Sequence, residues 1–339
     1  MYLKQTCSIE FETKGGTKYR LRGLHSYEDK KSVHQAVQTC KIMLPVSIVM
    51  QNKDLPDLVK REKLINKIKE GDKVNVYLGY NGKNVKEFEG YIKRINPKQP
   101  LELECEDEMY LLRKIRLKKS FKKADISEVI QYILDETYKQ TGVRFERYAE
   151  MPKVDVFNFW MNEANGITVL QELEDKYLLS SFLTEIDGKK TLFTGLMYGL
   201  KTNRVKYVFG KNTISIDDLK YNGAGDRTFK VEIRHVDNSG HETKYEFGDA
   251  KGEVQKIMLE GNWTKEALKH YADGVIQGLQ AGGYKGSFTT FLIPRIQPTN
   301  VIEATDPQFA ERSGTFYCST VETKFGSGAT RKPEIEIRL

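Results

Sequence analysis

Over most of the chain apolar residues fall at every second position, the period of half-buried β-strands. Ile9 and Phe11 alternate with polar residues, and Tyr19 and Leu21 resume the pattern after Lys14-Gly15-Gly16. Glycine supplies positive φ at little steric cost, so residues 9–22 read as a hairpin. Val74, Val76, Leu78 and Tyr80 alternate up to Asn81-Gly82, and Phe88, Gly90 and Ile92 return, the strongest hairpin signal in the chain. Leu101, Leu103 and Cys105 alternate with Glu102, Glu104 and Glu106, which predicts a strand with an apolar inner face and an acidic face turned to solvent or a neighbouring subunit. Between these strands Leu58, Leu64, Ile65 and Ile68 stand on a charged background, and this spacing predicts a short surface helix ended by Gly71.

After Leu112 the period changes. Asp125, with Glu128 three residues on, forms a capping pair ahead of the stripe Ile126, Val129, Ile130, Ile133 and Leu134, and Gly142 closes that helix. A second helix is predicted from Thr168, with Gln171 as its capping partner and Val169, Leu170, Leu173 and Tyr177 as its apolar face. Residues 182–186 and 191–194 flank Asp187-Gly188 as a tight hairpin. Strands return with Val205, Tyr207 and Phe209, then with Phe229, Val231 and Ile233 across Asn238-Ser239-Gly240 from Thr243, Tyr245 and Phe247. One helix interrupts them: Thr264 is a good N-cap, Trp263 and Leu268 stand at staple spacing, and Tyr271, Val275 and Leu279 extend the face to Gly282-Gly283. Strands resume at 286–292, 300–304, 314–323 and 334–339. The pattern predicts an α+β fold, mainly antiparallel β, in which two β-barrel-like domains, residues 1–119 and 201–339, flank a small α+β domain at 120–200. No fixed-period repeat is present, but the two similar β-rich halves point to a coarse internal duplication.

Composition narrows the class. With 39% apolar and 30% charged residues over 339 positions, the chain is neither disordered nor fibrous and can bury two or three cores. The longest nearly uncharged apolar stretch, residues 42–50, contains Pro45 and falls far short of the roughly 20 residues that cross a bilayer, so no membrane span is expected. The N-terminus enters an alternating pattern directly and carries no signal-peptide motif. Cys7, Cys40, Cys105 and Cys318 are scattered with no CxxC pair, which reads as free thiols and not as a zinc site or a disulfide framework.

Little of the candidate chemistry survives inspection. The acidic set Glu102, Glu104, Glu106, Asp107 and Glu108 offers paired carboxylates or a divalent-cation site in principle, but its period of two places it on one strand face. His235 and His241 flank a short turn without a third ligand nearby. The glycines at 282–286 lack the GK[ST] ending of a phosphate loop and follow a helix, and Gly326-Ser327-Gly328 lacks the third glycine of a dinucleotide fingerprint. No G-x-S-x-G occurs. No catalytic, cofactor or metal residue is read, and the expectation is a protein that is not an enzyme. One concentration of charge stands out, although the net charge is only +7: Arg113, Lys114, Arg116, Lys118, Lys119, Lys122 and Lys123. Such a run is either a solvated linker or a surface facing DNA or acidic patches of a neighbouring subunit, and no aromatic interleaving marks it for specific nucleic-acid recognition.

Three stretches together resemble a known family. Gly71, Asp72, Val74, Val76 and Gly79 lead to Phe88, Gly90 and Ile92, and Cys105-Glu106-Asp107 precedes Leu112. Asn165-Gly166 opens the second helix and is followed by the hairpin ending in Leu192-Phe193-Thr194-Gly195. Gly283, Gly286, Thr290, Pro294 and Ile296 precede Arg312, Gly314, Tyr317, Val321 and Gly328 through Arg331. In this order the stretches resemble baseplate hub proteins of contractile phage tails, the late control protein D and valine-glycine-repeat superfamily. Thr299-Asn300 and Ser327-Gly328 depart from the family's usual Gly-Asp and double glycine. The resemblance implies a homotrimer whose two barrels per chain form a pseudo-sixfold ring, joining a hexameric tail tube to a trimeric central spike. It implies tail tube protein, spike protein and other baseplate proteins as partners, passage of DNA through the lumen, and a place in the tail baseplate of a virion or phage-like particle made in the bacterial cytoplasm. Because the sequence stops at Leu339 after the last strand, the spike is expected to be a separate protein. The alternatives in other classes are a tail-associated cell-wall hydrolase and a nucleic-acid-binding β-barrel protein.

Overall fold

A computed structural model of the chain describes residues 3–51, 59–222, 228–237, 240–260, 263–280, 283–310 and 313–339. The expected class holds: most of the chain is antiparallel β, with four α-helices among the described residues. The N-terminal hairpins form as read. Gln5–Glu12 pairs with Lys18–Leu21 and with Lys73–Tyr80. Lys73–Tyr80 turns at Asn81 and Gly82, both at positive φ (54° and 80°), into Lys83–Asn96. These are the two left-handed positions that a two-residue turn of this hand requires.

The strand ladder continues from Lys83–Asn96 through Leu101–Asp107 and Thr39–Leu44 to Ser26–Ser32. There it crosses into the C-terminal half. Ser26–Ser32 pairs antiparallel with Gly314–Phe325, Tyr27 opposite Phe325 and Ser32 opposite Thr320, and the ladder runs on to Ala329–Arg338. The two halves thus share one sheet of fifteen strands. Val301–Thr305 lies on Gly314–Phe325 and takes Arg204–Val208 as a parallel neighbour. Ile9, Phe11, Ile42, Val74, Val76 and Leu103 pack one core, which also takes in Leu292, Phe325 and Ala329 from the far end of the sequence. Tyr207, Phe288, Ile302, Phe316 and Cys318 pack another.

A third core belongs to the middle of the chain. Helices α1 (Met109–Lys114), α2 (Ile126–Thr141) and α3 (Gly166–Tyr177) bury Leu112, Ile130, Ile133 and Leu173 against a two-stranded ribbon, Leu117–Asp125 paired with Asp155–Ala164. Asp125 caps α2 by accepting from the Ser127 amide at 2.9 Å, and Gly142 closes it in the left-handed region. Val231, Ile233 and Leu259 join the same core from a three-stranded sheet, Leu268 from α4 (Lys265–Gln280), and Trp263 from just ahead of that helix. Trp263 and Leu268 are both buried, and Thr264 Oγ1 accepts from the Ala267 amide at 3.2 Å, as the staple and cap reading requires.

Three local expectations are corrected. Residues 59–70 do not form the expected helix: Val59–Lys63 is a strand paired with Ser47–Gln51, followed by a single 3-10 turn at Leu64–Asn66. Leu64 and Ile68 are buried while Ile65 is exposed, so their spacing reflects a turn anchored at two points. Helix α3 starts two residues before Thr168, because the Asn165 side chain accepts from the Thr168 amide at 3.0 Å and acts as the cap. The acidic face of Leu101–Asp107 is not solvated: Glu102 and Glu106 are buried under basic side chains. The first two positions of Asn238-Ser239-Gly240, together with Leu58, Gly282 and Arg312, lie outside the described residues.

Candidate interaction surface and the charge network behind it

The seven basic residues singled out in the sequence do not share one surface. Arg113, at the end of α1, turns back to Glu106, with Nε 3.1 Å from Oε2 and Nη2 3.2 Å from Oε1. Lys114 sits over the Tyr110 ring at 4.9 Å. Arg116 is clamped through its backbone, whose amide donates to Gln140 Oε1 and whose carbonyl accepts from Gln140 Nε2. The remaining four lie on the ribbon, whose alternation separates them onto opposite faces. Lys119 stacks 4.6 Å from the centroids of both Phe121 and Tyr132. Lys123 pairs with Asp155 at 3.1 Å beside the Phe157 ring. Lys118 and Lys122 occupy the other face and are exposed.

What covers the acidic strand comes from elsewhere in the chain. Glu102 takes Lys98 at 2.8 Å and Lys41 at 3.7 Å, and Glu106 takes Lys93 at 2.6 Å in addition to Arg113. Glu108 and Glu89 are bridged twice, by Lys73 and by Lys190, the latter reaching over from the middle hairpin. Burial would raise the Glu89 carboxyl, but hydrogen bonds from Lys190, Lys73 and Lys86 outweigh it and hold its pKa at about 2. Asp107 goes the other way, pushed well above the carboxylate range by burial.

A second network lies where the halves meet. Lys31 Nζ is 3.0 Å from Glu87, 3.3 Å from Asp29 and 3.3 Å from Gln297 Oε1, and Arg331 pairs with Glu87. Asp29 also accepts from the Tyr27 hydroxyl at 2.7 Å and from the Thr323 amide at 3.0 Å. These groups back an open cleft of about 690 Å³ lined by Lys31, Glu87, Glu89, Glu108, Lys190 and Arg295. Charges of both signs line it in close balance. The arrangement is that of a stiff joint between β units, since each buried carboxylate is met by more than one cation or donor.

The other candidates are placed as follows. His235 is buried beside the Tyr245 ring, while the His241 amide donates to Asp237 at 2.9 Å in the turn. Cys40 and Cys105 stand opposite each other on neighbouring strands as free thiols, and burial pushes the Cys40 thiol well up, away from reactivity. No group of three or more metal-ligating side chains occurs among the described residues.

This architecture has counterparts among solved structures. A tail protein from Neisseria meningitidis MC58 superposes with a TM-score of 0.61 at 12% identity, covering 97% of this chain and 96% of the other. The chain has a phage tail protein fold. The 43 kDa tail protein of prophage MuSo2 from Shewanella oneidensis matches at 0.59 and 12% identity, over 97% and 99% of the two chains. An E. coli component of the type VI secretion system, itself described as similar to bacteriophage T4 tail proteins, matches at 0.55 and 9% identity, over 93% of this chain and 73% of the other. No protein-family model matches the sequence, and no curated protein matches it significantly. The resemblance to phage tail proteins read from the sequence is therefore borne out at the level of the fold.

Within the tail protein fold, the residues that carried the resemblance serve as structure. Asp72 is buried, accepting from the Lys69 amide at 2.7 Å and the Lys14 amide at 3.2 Å, and so ties two hairpins together. Gly90 packs directly on the neighbouring strand, where a Cβ would stand 2.1 Å from the Glu106 carbonyl oxygen. Among the described residues no helix is long and apolar enough to cross a membrane.

Proposed function

We propose that this chain is a non-catalytic baseplate hub subunit of a phage tail or phage-like contractile machine, closing as a homotrimer into a ring between a hexameric tail tube and a trimeric spike. The observation that carries this reading is the fold similarity to phage tail proteins, which spans 97% of the chain. The continuous ladder through Ser26–Ser32 and Gly314–Phe325 supports it, because it holds two β-rich units in one fixed relation. In this reading residues 1–119 and 201–339 supply two ring positions per chain, residues 120–200 sit between them, and the tube, spike and other baseplate proteins are the partners. Strand edges left open in a single chain are the kind of surface that ring closure covers. DNA would pass through the lumen without sequence readout, and the particle would be a virion tail or a related injection device.

Images of the purified chain test this. Rings with three-fold symmetry and a six-lobed outline are the expected result, and compact single subunits would overturn the reading. A zymogram separates the competing hydrolase: a cleared band at the chain's position would replace a structural role with a catalytic one.

A further inference from the structure

The ribbon formed by Leu117–Asp125 and Asp155–Ala164 presents, from Lys118 to Lys122 and from Asn158 to Asn162, a face that none of the described residues covers. Phe121, Phe159 and Met161 point inward and are buried. The opposite face carries Lys118, Ser120 and Lys122 on one strand and Asn158, Trp160 and Asn162 on the other, all six exposed. Trp160 stands directly opposite Ser120 with 73% of its surface open to solvent. Among the described residues neither ribbon strand has a second strand neighbour.

Lysines on open strands discourage unwanted edge pairing, which accounts for Lys118 and Lys122. It does not account for an indole at the centre of the face, because a tryptophan of this size left in water forgoes a large burial. Charge decides what the face suits. The six residues of the face include no carboxylate, and Glu163 beside it is 3.6 Å from Lys118 with both groups well exposed. Such a pair is weak and easily exchanged. Non-specific single-strand nucleic-acid sites stack successive bases on several aromatic platforms, whereas this face has one. A tryptophan flanked by amides, with cations about 13 Å apart on one strand, fits a polypeptide: indoles anchor protein interfaces, asparagine amides pair with peptide groups, and rim lysines meet carboxylates.

We propose that this face is a docking site for an acidic polypeptide segment of a partner protein, with Trp160 as its anchor and Lys118 and Lys122 as its charge guides. The proposal goes beyond the hub reading and does not rest on ring closure.

The sequence has two tryptophans, and Trp263 is buried, so fluorine NMR of the full chain labelled with fluorotryptophan reports the two sites separately. Titration with a glutamate-rich peptide free of tryptophan is expected to shift the Trp160 resonance and leave that of Trp263 in place. Added salt should weaken the effect. The double charge reversal Lys118→Glu with Lys122→Glu should weaken binding about ten-fold, and Trp160→Ala should do at least as much in a labelled-peptide anisotropy assay. Both variants change only exposed side chains, and an unchanged melting curve confirms that they fold. A Trp160 resonance that does not move, or peptide binding that is indifferent to the lysine reversals, overturns the proposal. So does a response to oligothymidylate stronger than the response to the peptide, which would assign the face to nucleic acid.

Discussion

Arg331 and Glu87 form an ion pair in which both side chains are sealed from solvent, one contributed by the last strand of the chain and the other by the long N-terminal hairpin. Lys31 joins the same carboxylate from a third strand. The charges of Lys31, Arg331 and Arg295 overcome the burial that would otherwise raise the Glu87 carboxyl and hold it well below its usual range. The joint between the halves is therefore ionic at its centre and apolar around it.

A buried charge left wholly unmet costs about 3–5 kcal/mol, but Glu87 keeps Lys31 at 3.0 Å when Arg331 is removed. Arg331→Met is therefore expected to lower the unfolding free energy by less than that, about 2 kcal/mol, in a denaturant titration. The double variant Arg331→Met with Glu87→Met is expected to recover part of the loss, since apolar replacement of a whole buried pair is commonly close to neutral.

His34 and Glu336 give the same joint a pH-dependent margin. Their atoms lie 2.9 Å apart, and Tyr198 donates to the same carboxylate at 3.0 Å. The hydrogen bond to Glu336 raises the His34 pKa above 6.5 against the opposing effect of burial, with Glu334 and Glu174 adding to the rise. A raised histidine contributes stability that is fully present below pH 6.5 and is lost as pH rises through its folded-state value. The pair is a third exposed, so the effect is expected to be about 0.5 kcal/mol. Melting temperatures of the native chain and His34→Ala should differ at pH 6 and converge as pH rises through the folded-state value.

Gly90 is a position where only the absence of a side chain permits the fold. A Cβ there would sit 2.1 Å from the Glu106 carbonyl oxygen and 2.8 Å from the Asp107 Cα, both backbone atoms of the adjacent strand. Gly90→Ala is expected to cost more than about 2 kcal/mol, whereas Gly82→Ala, at a turn with open space, is expected to cost only the strain of its positive φ, about 1 kcal/mol. Thermal or denaturant unfolding of the two variants side by side checks the order.

The basic run should split into two classes on mutation. Arg113→Ala withdraws two hydrogen bonds from the buried Glu106 and is expected to destabilise the chain by about 2 kcal/mol. Lys122→Ala changes an exposed residue and is expected to stay within about 0.5 kcal/mol. A uniform response across the seven residues would contradict the dispersed arrangement.

What could be read from the sequence followed how local its cause was. The turns at Asn81-Gly82 and Asp187-Gly188 were legible because their left-handed positions are set by adjacent residues. The strand at Val59–Lys63 was hidden because its partner, Ser47–Gln51, is set apart in the sequence and the spacing of Leu58, Leu64, Ile65 and Ile68 imitates a helix. Periodicity placed Glu102 and Glu106 on one face but was silent on Lys41, Lys93 and Arg113, which close over them from other elements. Trp160 is forty positions from Ser120 in sequence and directly opposite it in the ribbon, so the aromatic beside the lysines could be seen only once the register was known.

The central claim is that this polypeptide works by assembling. The most direct measurement is its mass in solution across a concentration series, by light scattering coupled to chromatography. A stable species of three chain masses, persisting on dilution, is the predicted result. A single chain mass at every concentration, with no larger species when tube or spike protein is added, would contradict it.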